Sequence, residues 1–416
     1  MDEGGNEVSQ TCIIVGASHA AAQLAPSLRQ EGWDGRIVVI GDEPHLPYHR
    51  PPLSKAYLLG EKRREELLIR TSDAYARLGI EFRLGERVTS IDRASRSLAL
   101  ASGASLAWDK LALCTGTRVR TVDLPGVDLS GVYYLRSIAD IDRIREDVRP
   151  GMRAVIVGGG YIGLETAAVL NQIGMQVSVL EMAPRVLARV TAPEVSAFFE
   201  RVHREAGVDV CTGVSVAGFE GGARVERVIA RDGRRWAADL VVIGVGVLPN
   251  VEIAARANLA VDDGIVVDAC ARTSDPDIVA VGDCTRHPSP WYGPVRLESV
   301  PNATEQAKSA AAALCGKDKP YAALPWFWSD QYDIKLQIAG LNQGYDSVVV
   351  RGERETGRSF AAFYLKAGRL VAADCVNRPQ DFMASKRLIA DGGSVQASQL
   401  VDEGIALKTL VAGADA

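Results

Sequence analysis

A run of glycines, Gly158-Gly159-Gly160-Tyr161-Ile162-Gly163, follows a short apolar segment from Ala154 and precedes a segment with helical periodicity. Glycines at this spacing permit a tight turn and let the backbone approach a pyrophosphate, while the helix N-terminus offers N–H donors. Glu181, 23 positions after Gly158, is expected to accept hydrogen bonds from an adenosine ribose 2′-OH and to repel a 2′-phosphate. The pattern predicts a dinucleotide site that prefers NADH, and the nearby Arg185 leaves strict exclusion of NADPH open.

A second, weaker turn occurs near the N-terminus, at Gly16-Ala17-Ser18-His19-Ala20-Ala21. It keeps the first glycine and a small residue at the third position, but Ser18 stands where the second glycine belongs. Asp42, 26 positions after Gly16, supplies the matching acid. Two dinucleotide sites in one chain indicate electron transfer between two cofactors, most simply a bound flavin and an exchanging nicotinamide.

Each turn lies in a strand–turn–helix segment that is followed by a second apolar run ending in acid, RIVVIGDE from Arg36 and VSVLE from Val177. Each such unit is typical of βαβ. The runs Leu111–Gly116 and Leu240–Asn250 are predicted crossover strands, and a helix is predicted over 302–314. From Pro325 onward the sequence pattern changes to short β-type runs separated by Gly, Asn and Asp turns. A charged helix is predicted near 385–389.

The predicted fold class is therefore α/β, with two tandem Rossmann-like folds, one inserted in the other, and an α+β C-terminal domain. The expected domains are a discontinuous FAD-binding domain over 8–117 and 246–324, an NAD-binding domain over 118–245 and a C-terminal domain over 325–416. The chain has 416 residues, enough for several buried cores.

Charge and hydropathy exclude several classes of partner. Lys plus Arg is 47 and Asp plus Glu is 52, a net charge of −5 that gives no electrostatic footprint for nucleic acid. The acidic, polar start MDEGGNEVSQ lacks the features of a secretory signal, and the apolar run 240–248 is far shorter than the roughly 20 residues of a membrane span. We expect a cytoplasmic protein without a membrane partner.

The seven cysteines are scattered, with at least 14 positions between neighbours and no CxxC pair. A dithiol of closely spaced cysteines beside the flavin is therefore not expected, although distant cysteines could still pair in space; each single cysteine is expected to be a small buried hydrophobe. His45 and His49 have the spacing of a metal pair, but the prolines around them oppose a helix, and no metal site is expected.

The sequence resembles the FAD- and NADH-dependent ferredoxin reductases that supply bacterial cytochromes P450 and ring-hydroxylating dioxygenases. The likeness spans nearly the whole chain and is carried by RPPLSKAYL, GGGYIGLE, RVLARVTAPEVSAF, HREAGVD, TSDPDIVAVGD, ESVPNATEQA and PWFWSDQY. The resemblance implies a glutathione-reductase-like fold in which the first nucleotide fold binds FAD and the second binds NAD. The third domain would then cover the flavin and help to form the ferredoxin surface.

The resemblance also implies site residues. Lys55 is expected near the flavin ring with Glu165 opposite, and both are assigned catalytic roles because a lysine there would stabilise the anion formed when hydride arrives. The FAD contacts are expected to be Gly16, Ser18, Ala20, Asp42, Lys55, Val88, Thr115, Gly116, Arg136, Asp283, Val300 and Trp328. The NAD contacts are expected to be Gly158, Gly160, Tyr161, Ile162, Gly163 and Glu181.

The expected activity is NADH-dependent reduction of a [2Fe–2S] ferredoxin, with hydride passing to FAD and single electrons leaving it. Because ferredoxins are usually acidic, docking is expected on basic residues, among which Lys308, Lys386 and Lys408 are the candidates and Lys62, Arg63 and Arg64 are looser ones. The alternatives are a rubredoxin reductase or NADH oxidase of the same fold, and an NADH-binding flavoprotein like the apoptosis-inducing factors. The ferredoxin, the oxygenase it serves and the oligomeric state stay open.

Overall fold

The structure is a computed structural model that describes residues 10–392 and 394–412. The chain forms two compact units. The first comprises the described residues of Met1–His49, Glu65–Arg118 and Leu248–Ala323, and the second comprises those of Arg50–Arg64, Val119–Val247 and Leu324–Ala416.

The strands, numbered in chain order, are β1 Thr11–Val15, β2 Arg36–Gly41, β3 Ile80–Leu84, β4 Val88–Asp92, β5 Ser97–Leu100, β6 Ser105–Ala107, β7 Lys110–Leu113, β8 Thr117–Val119, β9 Val132–Tyr134, β10 Arg153–Val157, β11 Gln176–Leu180, β12 Asp209–Cys211, β13 Val216–Gly221, β14 Val225–Ala230, β15 Arg235–Ala237, β16 Leu240–Ile243, β17 Val247–Pro249, β18 Ile265–Val266, β19 Ile278–Ala280, β20 Thr285–Ser289, β21 Gly293–Val295, β22 Trp326–Gln331, β23 Ile334–Gly340, β24 Ser347–Glu353, β25 Ser359–Lys366 and β26 Arg369–Val376.

The α-helices are α1 His19–Glu31, α2 Ala56–Leu59, α3 Ser72–Ala76, α4 Ile138–Asp147, α5 Tyr161–Gln172, α6 Pro193–Glu205, α7 Glu252–Arg256, α8 Val300–Leu314, α9 Pro379–Asp391, α10 Ala397–Val401 and α11 Leu407–Ala412. Two 3₁₀ turns cover Pro51–Ser54 and Arg64–Leu67. Among the helices of the described residues, none is long and apolar enough to span a membrane.

The first unit is built on a parallel five-stranded sheet of order β19-β7-β1-β2-β3. Its central strands are apolar along their whole length because both faces are covered, as parallel sheets require. On one face Ile14 packs with Leu24 of α1 and the alanines of α8, and on the other Ile13 packs with Leu98 of β5. This sheet places the turn after β1 at its carboxyl edge.

The second unit contains another parallel sheet, of order β12-β11-β10-β16-β9. An antiparallel sheet of order β13-β14-β15 contributes Phe219 and Val228 to the core that covers one face, where they meet Val155 of β10 and Val241 of β16. Crossover α5 joins β10 to β11, as a parallel pair demands.

The C-terminal part of the second unit is an antiparallel sheet of order β22-β23-β26-β25-β24. Six consecutive residues of β25 are buried, so both of its faces are covered. Phe198 of α6 lies against Phe360 of β25 with ring centroids 4.9 Å apart. The predicted helices at 302–314 and 385–389 correspond to α8 and to the middle of α9.

The chain order of the strands confirms the predicted insertion. The second parallel sheet consists of β9 to β12 and β16. These strands lie in sequence between β7 and β19, which are neighbours in the first sheet. The division into two compact units differs from the predicted division into three domains, for example by placing residues 50–64 in the second unit. The three domains and their boundaries therefore stay a prediction.

Candidate functional site

The first turn depends on Gly16. Its φ is +108°, and a Cβ added there would lie 2.1 Å from the carbonyl oxygen of Cys114. Ser18, by contrast, has an extended φ of −131°, which any residue adopts, so the missing second glycine costs the turn nothing. Ser18 is the N-cap of α1 without a side-chain cap hydrogen bond, and no acidic residue stands in the first turn of that helix. This helix start suits an anion.

Asp42 follows directly after β2 and is exposed, with its Oδ2 3.0 Å from Arg87 Nη2. Asp42 therefore stands beyond the carboxyl end of β2, the position that the strand pattern predicts for a ribose acceptor. Ala20 is buried in α1, and Val88 is buried at the start of β4.

Other predicted FAD contacts of the first unit cluster around loops at strand ends. Thr115 Oγ1 donates to the Asn250 carbonyl at 2.7 Å, and Asn250 Nδ2 donates back to the Thr115 carbonyl at 2.8 Å. Gly116 has a φ of +61°. Asn250, which sequence reasoning missed, thus ties the turn after β7 to the chain just before α7.

Near Asp283, the Gly282 N–H donates to Gln306 Oε1 at 2.7 Å, and Thr285 Oγ1 lies 3.1 Å from the same oxygen. Gln306 is buried in α8 and holds the turn that carries Asp283. Val300 is the first residue of α8, directly after the N-cap Ser299. Gln306 is a second residue that the sequence offered no signal for.

The second turn needs two of its glycines, Gly158 and Gly163, for steric reasons, and at Gly159 there is little room for a side chain. Gly158 has a φ of +110°, and a Cβ there would lie 2.4 Å from the Gly244 carbonyl oxygen. A Cβ on Gly163 would lie 2.1 Å from the Gly158 carbonyl oxygen, and one on Gly159 would lie 3.1 Å from Glu181. A Cβ on Gly160 would meet nothing within 4 Å, so this backbone position is open to a ligand. Gly160 is the N-cap of α5 and brings no side-chain cap.

Glu181 is half-buried, directly follows β11 and fixes the glycine turn through hydrogen bonds to its backbone. Its Oε2 accepts the Gly159 N–H at 2.6 Å and its Oε1 accepts the Ala183 N–H at 2.7 Å. Arg185 is engaged elsewhere, since Nη1 lies 2.5 Å from Ser196 Oγ and Nη2 donates to the Ala188 carbonyl at 2.9 Å. Each Glu181 oxygen keeps a second lone pair for a ribose hydroxyl.

The first residues of α5 have different surroundings. Tyr161 is half-buried and its hydroxyl oxygen is buried. Its ring centroid is 4.9 Å from that of Phe327, and burial raises the pKa of the hydroxyl well above the ordinary value. Ile162 is 44 % exposed. Of these two predicted NAD contacts, Ile162 is the more exposed one.

Lys55 and Glu165 form a buried ion pair, with Lys55 Nζ 2.6 Å from Glu165 Oε2. The 3₁₀ turn Pro51–Ser54, opened by two prolines with fixed φ, presents both Ser54 and Lys55 to α5. Ser54 Oγ donates to the same carboxylate oxygen at 2.7 Å, and Ser329 Oγ donates to Oε1 at 2.7 Å. Glu165 is 4 % exposed, so these three donors, rather than water, are the hydrogen-bond partners of its carboxyl group.

Strand β22 carries an aromatic group of three residues, Trp326, Phe327 and Trp328. The ring centroids of Trp326 and Trp328 are 5.5 Å apart, since the two side chains leave the strand on the same face. Lys386 Nζ lies 5.1 Å from the Trp326 centroid, a cation–π distance. Trp328 is half-buried.

The remaining predicted residues lie as follows. The Arg136 carbonyl accepts Arg50 Nη1 at 2.9 Å, and the Arg136 N–H donates to Asp140 Oδ2 at 3.1 Å. Lys308 is exposed and its Nζ lies 2.7 Å from Glu305 Oε1. Of the other predicted docking residues, Lys62, Arg63, Arg64 and Lys408 are exposed. Arg64 pairs with Asp142 at 2.6 Å.

All seven cysteines lie in the described part of the chain and are free. Five are buried, and burial raises the pKa of the thiols of Cys12, Cys114 and Cys375. Cys211 and Cys315 are half-buried, and burial is again the largest cause of their raised pKa values. Because the thiolate is the reactive form, none of these six thiols, among them Cys284, is activated as a nucleophile.

Comparison with known proteins identifies the family to which the chain belongs. Residues 10–307 match the family described as Pyridine nucleotide-disulphide oxidoreductase, and residues 326–411 match the Reductase C-terminal domain. The chain belongs to the pyridine nucleotide-disulphide oxidoreductase family. It is an oxidoreductase of that family with the additional C-terminal reductase domain.

Within this family, the chain is 47 % identical to putidaredoxin reductase CamA of Pseudomonas putida over 411 residues, 97 % of each chain. It is 44 % identical to a ferredoxin–NAD(P)⁺ reductase of Sphingomonas sp over 94 % of each chain. The crystal structure of the covalent putidaredoxin reductase–putidaredoxin complex matches with a TM-score of 0.95 at 46 % identity, covering 98 % of this chain and 99 % of the other. The predicted family resemblance is confirmed.

Proposed function

We propose that this chain is an NADH-dependent ferredoxin reductase that supplies electrons to a cytochrome P450 or a ring-hydroxylating dioxygenase. The observation that carries the proposal is the end-to-end match to ferredoxin reductases of both kinds of system. One is the ferredoxin reductase for the CYP199A2 system from Rhodopseudomonas palustris, 45 % identical over 97 % of this chain and 100 % of the other. Another is the anthranilate 1,2-dioxygenase reductase component of Burkholderia cepacia, 42 % identical over 96 % of this chain and 98 % of the other. The cytoplasmic location expected from the sequence stays a prediction.

FAD and NAD(H) are the cofactors of this reaction. FAD accepts the two electrons of a hydride from NADH and, when bound, can release them one at a time. The protein must bind both nucleotides, exclude water from the site where the flavin accepts hydride, and leave a route by which single electrons can depart.

We assign FAD to the first turn and NAD to the second. Two features of each turn support dinucleotide binding there: a glycine at positive φ that brings the backbone close to a neighbouring strand, and the N-terminus of an α-helix. The family resemblance supports FAD at the first turn and NAD at the second. The first N–H groups of a helix are unsatisfied within the helix, so a pyrophosphate can accept from them. In this scheme Gly16 and Gly158 are required for shape, whereas Gly160 offers backbone to the ligand.

Glu181 is the residue that favours NADH. Its carboxylate is fixed by two backbone N–H groups, so it cannot swing away from a 2′-phosphate without opening the turn. Arg185, whose guanidinium is engaged by Ser196 and a carbonyl, is poorly placed to compensate the phosphate charge. We therefore propose a preference for NADH.

Lys55 and Glu165 are the proposed catalytic pair. Lys55 brings a cation that favours negative charge developing on an acceptor beside it, and Glu165 holds the ammonium in place through a 2.6 Å contact. With Lys55 only 18 % exposed at its side chain, water screens this charge weakly. Trp328 of β22 is proposed to lie against the flavin ring.

The proposed partner is a [2Fe–2S] ferredoxin, and Lys308, Lys386 and Lys408 are its proposed docking residues. Lys308 and Lys408 are exposed, and the ion pair of Lys308 with the exposed Glu305 costs little to exchange for a partner carboxylate. Lys386 is held over Trp326, which fixes the position of its charge.

The test begins with the visible spectrum of the purified protein, before and after anaerobic NADH. A flavin spectrum that bleaches with NADH and returns when an oxidised [2Fe–2S] ferredoxin is added is the expected result. Reduced flavin that persists after ferredoxin is added, but reoxidises with oxygen or with rubredoxin, would overturn the proposed acceptor. A protein that takes up no flavin on reconstitution would overturn the whole proposal.

A further inference from the structure

A line of buried polar side chains connects Glu165 to His203. Ser329 Oγ lies 2.7 Å from Glu165 Oε1, Gln331 Nε2 lies 3.2 Å from Ser329 Oγ, and His203 Nε2 lies 2.8 Å from Gln331 Oε1. All four side chains are at most 4 % exposed. His203 opens the HREAGVD segment, and none of the cofactor or docking assignments above uses it.

Hydrogen-bond accounting gives this line a direction. A carboxylate only accepts, so Ser329 must donate its single proton to Glu165 and can only accept from Gln331. The amide of Gln331 therefore turns its NH₂ group toward Ser329 and its oxygen toward His203. His203 must then carry its proton on Nε2 and donate it.

The same accounting gives a second arrangement, in which every hydrogen bond of the line runs the other way. If Glu165 carried a proton on Oε1, it would donate to Ser329, which would donate to Gln331 through a flipped amide. Gln331 would then donate to His203 Nε2, and the imidazole proton would stand on Nδ1. The charge of Glu165 and the tautomer of His203 are thus coupled, because a mixed arrangement leaves a buried donor or acceptor unpaired.

The surroundings of His203, at the end of the line away from Glu165, favour a neutral imidazole. Burial lowers the pKa of His203, and the hydrogen bond with Gln331 opposes this only in part. Tyr332 Oη lies 3.5 Å from His203 Nδ1, and the two rings meet edge to face with centroids 5.2 Å apart. Because the Tyr332 hydroxyl can donate toward Nδ1, it favours the tautomer with an unprotonated Nδ1, which the first arrangement requires.

Other charged groups also bear on Glu165. Lys55 pairs with it directly, and Tyr161 stands one turn back on the same helix. The Tyr161 hydroxyl is subject to the charges of Asp374, Arg189 and Glu165. These groups do not interrupt the line, since Ser329 alone occupies the Oε1 side among the hydrogen bonds of the described residues.

We propose that Ser329, Gln331 and His203 are positioning residues that hold Glu165 as an ionised, fixed acceptor, and that the tautomer of His203 follows the charge of Glu165. The inference rests on the proposed function, because it assigns this control to the Lys55–Glu165 pair. The three residues touch no cofactor in this scheme and act through Glu165.

The first experiment reads the tautomer directly. The chain has five histidines, so long-range ¹⁵N–¹H spectra of ¹⁵N-histidine-labelled protein are tractable, with H203Q identifying the His203 signal. At neutral pH His203 should be the Nε2–H tautomer, and it should convert to Nδ1–H as the pH is lowered. A His203 that stays Nδ1–H at every pH, or that never converts, would overturn the inference.

The second experiment follows the rate of flavin reduction by NADH against pH in stopped flow. In Ser329→Ala and Gln331→Met, the acid limb of the profile should move up by about one pH unit, since a donor chain to the carboxylate is lost. In both variants the His203 tautomer should no longer change over the pH range in which the rate of flavin reduction falls on the acid side. H203Q, whose amide can still donate to Gln331, should keep the wild-type profile, whereas His203→Phe should not.

Ser385→Ala is the matched control, since Ser385 is a fully buried serine that donates to the Asp381 carbonyl within α9. It should leave the profile and the tautomer unchanged. Equal acid limbs in wild type, Ser329→Ala and Gln331→Met would overturn the inference. A wild type that NADH does not reduce would instead overturn the proposed function, while the tautomer measurement would still decide the inference.

Discussion

Tyr364 Oη donates a 2.5 Å hydrogen bond to Asp374 Oδ2 inside the C-terminal sheet. The two residues lie on neighbouring strands β25 and β26, and Tyr364 Oη also accepts the Ala192 N–H at 2.9 Å. Asp374 is 1 % exposed, and among the hydrogen bonds of the described residues its Oδ1 has no partner. Burial raises the pKa of Asp374 to about 7, and the Tyr364 hydrogen bond opposes that rise.

The first prediction concerns the pH dependence of stability. Because the folded pKa of Asp374 exceeds its ordinary value of 3.8, the folded chain binds more protons than the unfolded chain between about pH 4 and 7. Stability from this site is complete below about pH 4 and is lost as the pH rises toward 7, by up to about 4 kcal/mol at ~1.4 kcal/mol per pKa unit. Asp374→Asn should remove this loss.

Thermal unfolding of wild type and Asp374→Asn between pH 5 and 8 measures the difference. The wild-type Tm should fall over this range by several degrees more than that of the variant. Tyr364→Phe is the companion variant, and its Tm should fall at least as steeply as that of wild type. Parallel Tm curves for wild type and Asp374→Asn would show that Asp374 is charged throughout.

The second prediction concerns the ion pair of Lys55 and Glu165. Lys55→Met keeps the length of the side chain and removes its charge, and Glu165→Gln removes the anion that holds it. Each should slow flavin reduction by NADH about 10- to 100-fold, the effect of losing roughly 1.4 to 2.7 kcal/mol of transition-state stabilisation. Stopped-flow measurement at saturating NADH checks this, with exposed Lys335→Met as the control that should react at the wild-type rate.

The third prediction separates the residues of the first turn. Gly16→Ala places a Cβ 2.1 Å from the Cys114 carbonyl oxygen at a φ of +108°, so the variant should lose most of its bound flavin. Ser18→Gly should bind flavin as wild type does, because Ser18 already has an extended φ of −131°. The ratio of flavin to protein absorbance after purification measures both. Full flavin occupancy in Gly16→Ala would contradict the assignment of FAD to this turn.

The fourth prediction concerns the choice between NADH and NADPH. Glu181→Gln removes a negative charge while its amide oxygen can still accept one of the two backbone N–H groups. The ratio of kcat/KM for NADPH to that for NADH should rise about tenfold, or ~1.4 kcal/mol. If activity with NADH falls and the ratio stays constant, Glu181 only supports the turn.

The fifth prediction concerns docking. Lys308→Glu should slow reduction of ferredoxin several-fold at low ionic strength, with the difference shrinking as salt is added, because exposed charges are screened. Reduction of ferricyanide, which needs no docking surface, should be unchanged. Lys335→Glu serves as a control of equal charge change. An equal loss with both acceptors in Lys308→Glu would argue against a docking role.

The sequence by itself determined the two nucleotide turns and the family. Gly158, Gly163 and Glu181 lie within 24 consecutive residues, and their roles follow from local strand–turn–helix geometry that the spacing already contains. The insertion of one fold in the other was also predictable, since repeated strand patterns on both sides of the second turn require a partner sheet. Even at Ser18, where a glycine is replaced, the backbone is unstrained for a local reason, its extended conformation.

Only the tertiary structure decided the surroundings of Glu165. Ser54 lies 111 positions and Ser329 164 positions away in sequence, and His203 reaches Gln331 across 128 positions. Serine, glutamine and histidine have no pattern that marks such partners, because a hydrogen bond depends on distances of about 3 Å set by the packing of separate elements. The sequence therefore named the lysine and the carboxylate, and only the folded chain showed which donors surround that carboxylate.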